Sequence, residues 1–383
     1  MSSNEVKFGV IGLGGMGSGH CRMLQDIPES RLAAVCDTNP ITLEKLSQQY
    51  SVPAYSTHQE LFQSGTVDAV IIATPHYFHG PIAEDAFANG IHVLSEKPLS
   101  VTVAAADGMI AAAKKSGLKF GVMYQMRSEP RSRAAHRIVS SGALGEIYRT
   151  SLVMGWYRSQ AYYNSGGWRA TWVGEGGGVL INQAPHYLDL FSWLGGLPTS
   201  LKGETRTRLH DIEVEDEAFA TLEYANGAHG YLYASTTEAP EHNQIEICGD
   251  RGKIVMHGHS LRHFSIDGSI REITETTTEM WGSPRAVEQD TQMPGEEAIR
   301  GHSAVTANFA RAILHGEKLI APGEDGLQAV ELINAIILSG HTGERVKLPV
   351  DRFAYNELIT HLKQTSRVKA VVSEQLLTDP KFA

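Results

Sequence analysis

As far as about Met123 the chain alternates short apolar runs with stretches of helical periodicity; the runs are Val6–Ile11, Leu32–Cys36, Ala69–Ala73, His92–Leu94 and Phe120–Met123. They are nearly continuous in apolar residues, as expected of strands covered by helices on both faces. This alternation predicts βαβ units and a doubly wound parallel sheet. After Gln125 the texture changes. Asn226-Gly227, between Glu215–Tyr224 and Ala228–Ser235, and Asp267-Gly268 further on read as hairpin turns of an antiparallel sheet. Helical stretches flank that sheet: Pro130–Ser141, Tyr187–Leu194 with apolar residues at 187, 190, 191 and 194, Ser303–His315 closed by Gly316, and Gly326–Leu338. The expected architecture is α/β over residues 1–125, then an α+β domain with a large, mainly antiparallel open sheet over residues 126–383. Thr274–Glu297, polar and threonine-rich, reads as a long loop or an oligomer arm.

Composition adds limits. A chain of 383 residues with 42% hydrophobic and 20% charged residues can build two cores and lies far from the signature of disorder. The net charge of -10, with no stripe of Lys or Arg, argues against nucleic acid or an anionic membrane as partner. Cys21, Cys36 and Cys248 are too few and scattered for a disulfide framework or a thiolate-rich zinc site, which fits a reducing compartment. The polar opening MSSNEVK has no basic segment followed by a long apolar one, and no apolar run approaches membrane-spanning length, so a cytoplasmic protein is expected.

The first candidate site follows the first apolar run. Gly12-Leu13-Gly14-Gly15-Met16-Gly17 contains G-x-G-x-x-G between a strand and a helix expected at Met16–Leu24, the context that makes a dinucleotide fingerprint of the Rossmann type. Gly12 permits the tight turn, Gly14 lets the backbone approach a pyrophosphate, and Gly17 lets the helix pack closely with its free N–H groups facing the phosphates. Asp37 ends the second strand about 20 residues on, where a carboxylate can bond ribose hydroxyls. A 2′-phosphate would be repelled there, and Thr38-Asn39-Pro40 offers no arginine, so NAD is expected and NADP disfavoured.

Further motifs follow in order: Ala73-Thr74-Pro75-His76 through His79, then Gly90 to Pro98 with Glu96-Lys97-Pro98, then Gly176-Gly177-Gly178-Val179-Leu180 through His186 and Asp189. Together with the glycine turn these resemble the Gfo/Idh/MocA oxidoreductase family, which includes glucose–fructose oxidoreductase and inositol dehydrogenases. The resemblance implies a catalytic Lys97, with Pro98 after a cis bond, and a catalytic His186. It also implies that Thr74, Pro75, His76, His79, Glu96, Lys97 and Gln125 hold the cofactor's ribose and nicotinamide, with Trp168 and Arg169 lying against it. In isolation Lys97 reads as a solvated surface lysine and His186 as a helix-terminal histidine packed near the core; the motif order reverses both readings.

The chemistry agrees with these residue types. Oxidising a secondary alcohol needs a base for the hydroxyl proton and a cation for the developing alkoxide, and His186 and Lys97 supply them. His186 follows Pro185 in a first helical turn, whose dipole disfavours imidazolium. Where many family members carry Asp, this chain has Asn182, a neutral amide that cannot stabilise imidazolium charge. Asn182 is therefore expected to position substrate or His186, while Lys97 carries more of the acid–base work.

The stretch Trp156 to Asn164, then Gly166 to Trp172, is dense in rings, amides and guanidinium groups, a composition suited to a sugar or cyclitol. Tyr157, Arg158, Tyr163 and Trp168 are expected substrate contacts beside Lys97, Asn182 and His186. The pairs His76/His79 and His257/His259 lack carboxylate or thiolate company, so no metal is expected. Three functions remain open: an NAD(H)-dependent sugar, cyclitol or glycoside dehydrogenase; a glycosidase of the same fold using held NAD for transient oxidation and elimination; and a catalytically silent NAD-binding regulator. A homodimer or homotetramer is expected, because an antiparallel sheet leaves a face or edge to cover.

Overall fold

The computed structural model describes residues 4–291, 293, 300–367 and 369. Strands β1 (Val6–Ile11), β2 (Ser30–Cys36), β3 (Ala54–Tyr55), β4 (Ala69–Ile72), β5 (His92–Ser95) and β6 (Phe120–Val122) form one sheet in the order β3-β2-β1-β4-β5-β6. Every pairing in it is parallel. The order reverses at β1, so the crevice between β1 and β4 is the switch point where such sheets bind ligands. All of Ala69–Ile72 is buried, as a strand covered on both faces must be.

The second sheet has nine strands: β7 (Ile147–Gly155), β8 (Ser200–Arg206), β9 (Glu217–Glu223), β10 (His229–Ser235), β11 (His242–Gly249), β12 (Gly252–His257), β13 (Ser260–Ile266), β14 (Ala286–Gln289) and β15 (Val346–Lys347). Their order is β14-β13-β12-β11-β7-β10-β9-β8-β15, with β7–β10 the one parallel pairing. Ala218, Ala220 and Leu222 of β9 face the core, whereas Phe219 between them is 41% exposed. One face is thus packed and the other open. The long helix Gly323–Thr342 and the helix Pro185–Gly195 cover the packed face.

Two features join the sheets. Asn334, on the long helix, accepts from Val103 N–H at 2.9 Å and donates to Val101 O at 3.0 Å, both in the segment after β5. The helix Gly301–His315 sends Val305, Phe309 and Ala310 into the core around Phe8 and Val10 of β1.

The Asn226-Gly227 turn joins β9 to β10 as an antiparallel hairpin, as its sequence suggests. Asp267-Gly268 does not. It leads from β13 into the helix Ile270–Thr276, whose N-cap Ser269 accepts from Glu272 N–H. The hairpin in that region turns at Gly258-His259, with Gly258 at φ +53. The segment expected as a loop or arm, Thr274–Glu297, instead holds the end of that helix and β14 on the edge of the sheet; residues 292 and 294–297 of it lie outside the described residues.

Candidate active site

The glycine turn leaves β1 and opens the helix Gly15–Met23. A Cβ at Gly12, which has φ +87, would stand 2.7 Å from Ala73 O, and one at Gly17 would stand 1.7 Å from Gly12 O. Both glycines are required by backbone contact. A Cβ at Gly14 meets nothing within 4 Å, so the space in front of this turn is open where a pyrophosphate would lie. Asp37 Oδ2 accepts from Leu13 N–H at 2.6 Å and Oδ1 from Asn39 N–H at 2.7 Å, which fixes the carboxylate beside the turn with Thr38 next to it. Thr74 Oγ1 and Gln125 Oε1, after β4 and β6, are buried with no partner among the described residues, as expected of groups that await a polar ligand. These observations fit a bound dinucleotide.

Glu96, Lys97 and Pro98 follow β5, and the Lys97–Pro98 bond is cis. Glu96 is buried; it takes a 2.7 Å bond with His20 Nε2 and accepts from Lys97 N–H at 3.1 Å. Burial opposes its charge, but the bond and charge of His20, with His302 and Lys97 adding, hold its carboxyl down at about 2. Nζ of Lys97 donates to the carbonyl of Asn182 at 2.8 Å. Burial lowers the Lys97 pKa, Glu96 and Glu175 oppose, and Arg169 and Arg158 add to the lowering. His76 is buried with Nδ1 against the carbonyl of Glu175 at 3.0 Å, and its ring lies edge-on to Trp168. Pro75 directs the chain into this turn as the residue before it.

His79 departs from its expected place on the cofactor. Nδ1 stands 2.9 Å from Pro98 O and Nε2 2.9 Å from Thr74 O, so both ring nitrogens are committed to the main chain. The imidazole ties the loop after β4 to the loop after β5 and has no nitrogen left for a ligand.

His186 is the second residue of the helix Pro185–Gly195, with Pro185 at its first position. Its ring is buried, 3.5 Å from Gln125 Nε2 and edge-on to Tyr124. Its pKa lies well below the ordinary imidazole value. Burial is the largest cause, the Lys97 and His302 charges add, and Glu96 opposes. Three residues further on, Asp189 receives Arg127 through Nε at 2.9 Å and Nη2 at 2.6 Å, while Arg127 Nη1 reaches Asp325 at 2.6 Å. This buried fork sets Gln125 and His186 in register.

The Asn182 side chain is directed to Glu175 and Tyr162. Its Nδ2 donates to Glu175 Oε1 and, at 3.2 Å, to the Tyr162 hydroxyl, which also receives Gln183 at 3.0 Å and Arg169 at 2.8 Å. The Arg158 and Arg169 guanidinium groups lie 5.3 Å and 4.6 Å from the centre of the Tyr162 ring. Arg169 also lies over Trp168. Tyr157 is 48% exposed beside this group. Tyr163 is turned the other way: it is 1% exposed, bonds Thr236 at 2.7 Å and packs against His210, so it belongs to the core. Tyr162 takes the place expected of Tyr163.

Sequence reasoning also passed over Glu175, His20, His302 and Glu215. Glu175 and His302 carry no local periodicity that marks them. The glycine triplet gave a clue to Glu215: a Cβ at Gly178 would stand 1.9 Å from Glu215 O, and Glu215 Oε1 accepts from Gly178 and Leu180 N–H. Among the described residues there is no group of three or more His, Cys, Asp or Glu able to hold a metal ion, and no helix is long and apolar enough to cross a membrane.

Residues 6–124 match the oxidoreductase family with an NAD-binding Rossmann fold, and residues 132–255 match the GFO/IDH/MocA C-terminal domain. The chain is 26% identical to scyllo-inositol 2-dehydrogenase (NAD(+)) of Bacillus subtilis over 91% of its own length and 98% of that protein. It is 23% identical to 2,7-anhydro-N-acetylneuraminate hydratase of Mediterraneibacter gnavus over 90% and 96%. The WlbA dehydrogenase of Bordetella pertussis, solved with NADH and UDP-GlcNAcA, superposes with a TM-score of 0.75 at 27% identity over 91% of this chain and 100% of that one. With the glycine turn, the Glu96-Lys97-Pro98 loop and the His186 helix assembled on these two sheets, the chain belongs to the Gfo/Idh/MocA family of NAD-binding oxidoreductases.

Proposed function

We propose that the protein is an NAD(H)-dependent dehydrogenase acting on a secondary alcohol of a sugar, cyclitol or glycoside. The observation that carries this reading is that Lys97 reaches the Asn182 carbonyl, four residues before His186, while His186 lies beside Gln125 and within reach of the Lys97 charge. Residues 1–125 would hold the cofactor and 126–383 the substrate. Gly12, Leu13, Gly14, Gly15, Met16 and Gly17 would take the pyrophosphate, Asp37 and Thr38 the adenosine ribose. Thr74, His76, Glu96, Gln125, Trp168 and Arg169 would hold the nicotinamide half. When bound, NAD supplies the hydride acceptor.

His186, kept neutral by burial, receives the hydroxyl proton. The Lys97 ammonium steadies the alkoxide as it develops, in a setting where burial removes competing water. Lys97 carries more of the acid–base work, because the amide of Asn182 brings no charge to His186. Tyr157, Arg158, Trp168 and Asn182 are the substrate contacts, with Tyr162 beside them. The open face of the nine-stranded sheet, where Phe219 and Tyr231 are exposed, would be covered in a homodimer or homotetramer.

A second reading is favoured by the relative named a hydratase, a kind of reaction without net oxidation. In it, the same residues would serve a transient oxidation. A panel of sugars, cyclitols and aryl glycosides with NAD separates the two: a dehydrogenase accumulates NADH, and a net-neutral enzyme converts substrate without it. Cofactor binding with neither outcome would leave only a regulator.

A further inference from the structure

The carboxylate of Glu175 lies at this junction, with the residue 1% exposed, and has no role in the assignments above. Its two oxygens serve different parts of the chain. Oε2 accepts from the N–H of Ala170, whose φ of +52 lies in the left-handed region that non-glycine residues rarely hold without an anchoring bond. Ala170 directly follows Trp168-Arg169, so the bond sets that pair. Oε1 accepts from Asn182 Nδ2, and the carbonyl of the same Asn182 accepts from Lys97 Nζ. Arg169 Nη1 stands 3.9 Å from Oε1. The Glu175 carbonyl receives His76 Nδ1. One residue therefore anchors the aromatic loop, the Thr74–His76 turn and, through Asn182, the ammonium of Lys97.

We propose that Glu175 is a positioning residue of the active site, whose carboxylate holds Lys97 through Asn182 and brings to this junction the negative charge that position 182 lacks. The inference deepens the dehydrogenase reading and rests on it for the role of Lys97. Among the described residues, Glu175 is the carboxylate that reaches Lys97 through Asn182. Glu96, the other carboxylate that acts on Lys97, is engaged with His20 and with the Lys97 main chain. The remaining charged or titratable groups facing Lys97 are Arg158, Arg169, His76, His186 and His302, all cationic when charged. Burial raises the Glu175 carboxyl above its ordinary value, while Arg169, the Ala170 and Asn182 bonds and Lys97 oppose; Lys369, Tyr162, Tyr163 and the carboxyl of Glu215 also face it. Removing the Glu175 charge leaves Glu96 as the carboxylate acting on Lys97 against the surrounding cations, which shifts Lys97 toward its neutral form.

The test is competitive acetylation of Lys97 with acetic anhydride across pH, read by mass spectrometry on the full-length protein, which requires no turnover. In Glu175→Gln the Lys97 midpoint falls by about one pH unit, giving roughly ten times more neutral amine at a pH below both midpoints. Adding Asn182→Asp to that variant returns the midpoint toward the wild-type value. An unchanged midpoint in Glu175→Gln, or a fall that Asn182→Asp does not reverse, overturns the proposal. If Glu175→Gln does not fold, Glu175→Asp answers the same question: it draws the charge one carbon back from Asn182, so the midpoint falls by less, and a wild-type midpoint overturns the proposal. Failure of the dehydrogenase reading looks different, since wild-type protein would then form no NADH from the panel whatever the labelling shows.

Discussion

Nζ of Lys97 donates to the main-chain carbonyl of Asn182 at 2.8 Å, tying the loop after β5 to the short helix Val179–Asn182 that leads into His186. The acceptor is the main-chain carbonyl of Asn182, whose side chain is in turn held by Glu175 Oε1. The Lys97 bond fixes one proton of the ammonium and leaves the others for a substrate oxygen. Lys97 is thus held by a main-chain acceptor, and His186 lies beside Gln125.

Lys97→Ala should lower kcat by about 10²–10⁴-fold, the usual worth of a positioned proton-transfer group, and by more than His186→Ala does. The measurement is steady-state NADH formation with whichever polyol or sugar the panel identifies, together with NAD titration to show that the cofactor still binds. Near-full turnover in Lys97→Ala beside an inactive His186→Ala would remove Lys97 from its leading role.

Two glycines close in sequence separate cofactor binding from folding. Alanine at Gly14 points into open space, so Gly14→Ala should melt within about 1 kcal/mol of wild type and lose at least roughly tenfold in NAD affinity. Alanine at Gly17 drives a Cβ into Gly12 O, so Gly17→Ala should lose about 1–3 kcal/mol or more of stability. Calorimetric titration and thermal melting of both variants check this. Tight NAD binding by Gly14→Ala would show that the pyrophosphate lies elsewhere.

Much of this was legible because backbone requirements leave a trace in sequence. Gly12 and Gly17 are dictated by the turn itself, Gly14 by the room left in front of it, and the continuous apolar runs of β1 and β4 by burial on both faces. Side-chain direction leaves no such trace. Tyr162 and Tyr163 are adjacent in one short helix, and only the pairing of Tyr163 with Thr236 decides which faces the core. His79 sits in the right loop, yet two carbonyl oxygens capture its ring. Asp267-Gly268 reads as a hairpin turn, but Ser269 behind it caps a helix, and a reversal and a helix entry draw on the same residue types. Glu175 was hidden for a further reason: its partners lie at 76, 170 and 182, joined only once the two sheets meet.

Arg127 is the largest fully buried side chain, and both oxygens of Asp189 face it. Removing one member leaves the other charged and dry. Arg127→Met should therefore cost about 3–5 kcal/mol in denaturant unfolding, and adding Asp189→Leu should recover much of it, because paired apolar replacements relieve the stranded charge. Recovery of stability without recovery of kcat is expected, since the fork aligns the helix of His186 with Gln125. A single variant that unfolds like wild type would show that the fork carries no net energy.

Acid should weaken this fold through its buried imidazoles. The His302 ring, on the helix Gly301–His315, is pushed down from 6.5 to about 4, chiefly by burial; Glu96 opposes, while His20 and Lys97 add. Unfolded, it regains its ordinary value. Between those two pH values the unfolded chain binds more protons than the native one, so stability is full above about 6.5, falls as pH drops through the window and levels off near 4. The whole window is worth up to roughly 3 kcal/mol for this one ring. His186 and His76 are pushed in the same direction, which steepens the fall. His302→Asn cannot titrate, so its melting temperature should decline less than that of the wild type across the same interval. Loss of the Glu96 charge belongs to a lower range, because that carboxyl is held at about 2. Parallel melting curves for wild type and His302→Asn between pH 6.5 and 4 would mean that the partly buried His302 ring does not drive the acid response.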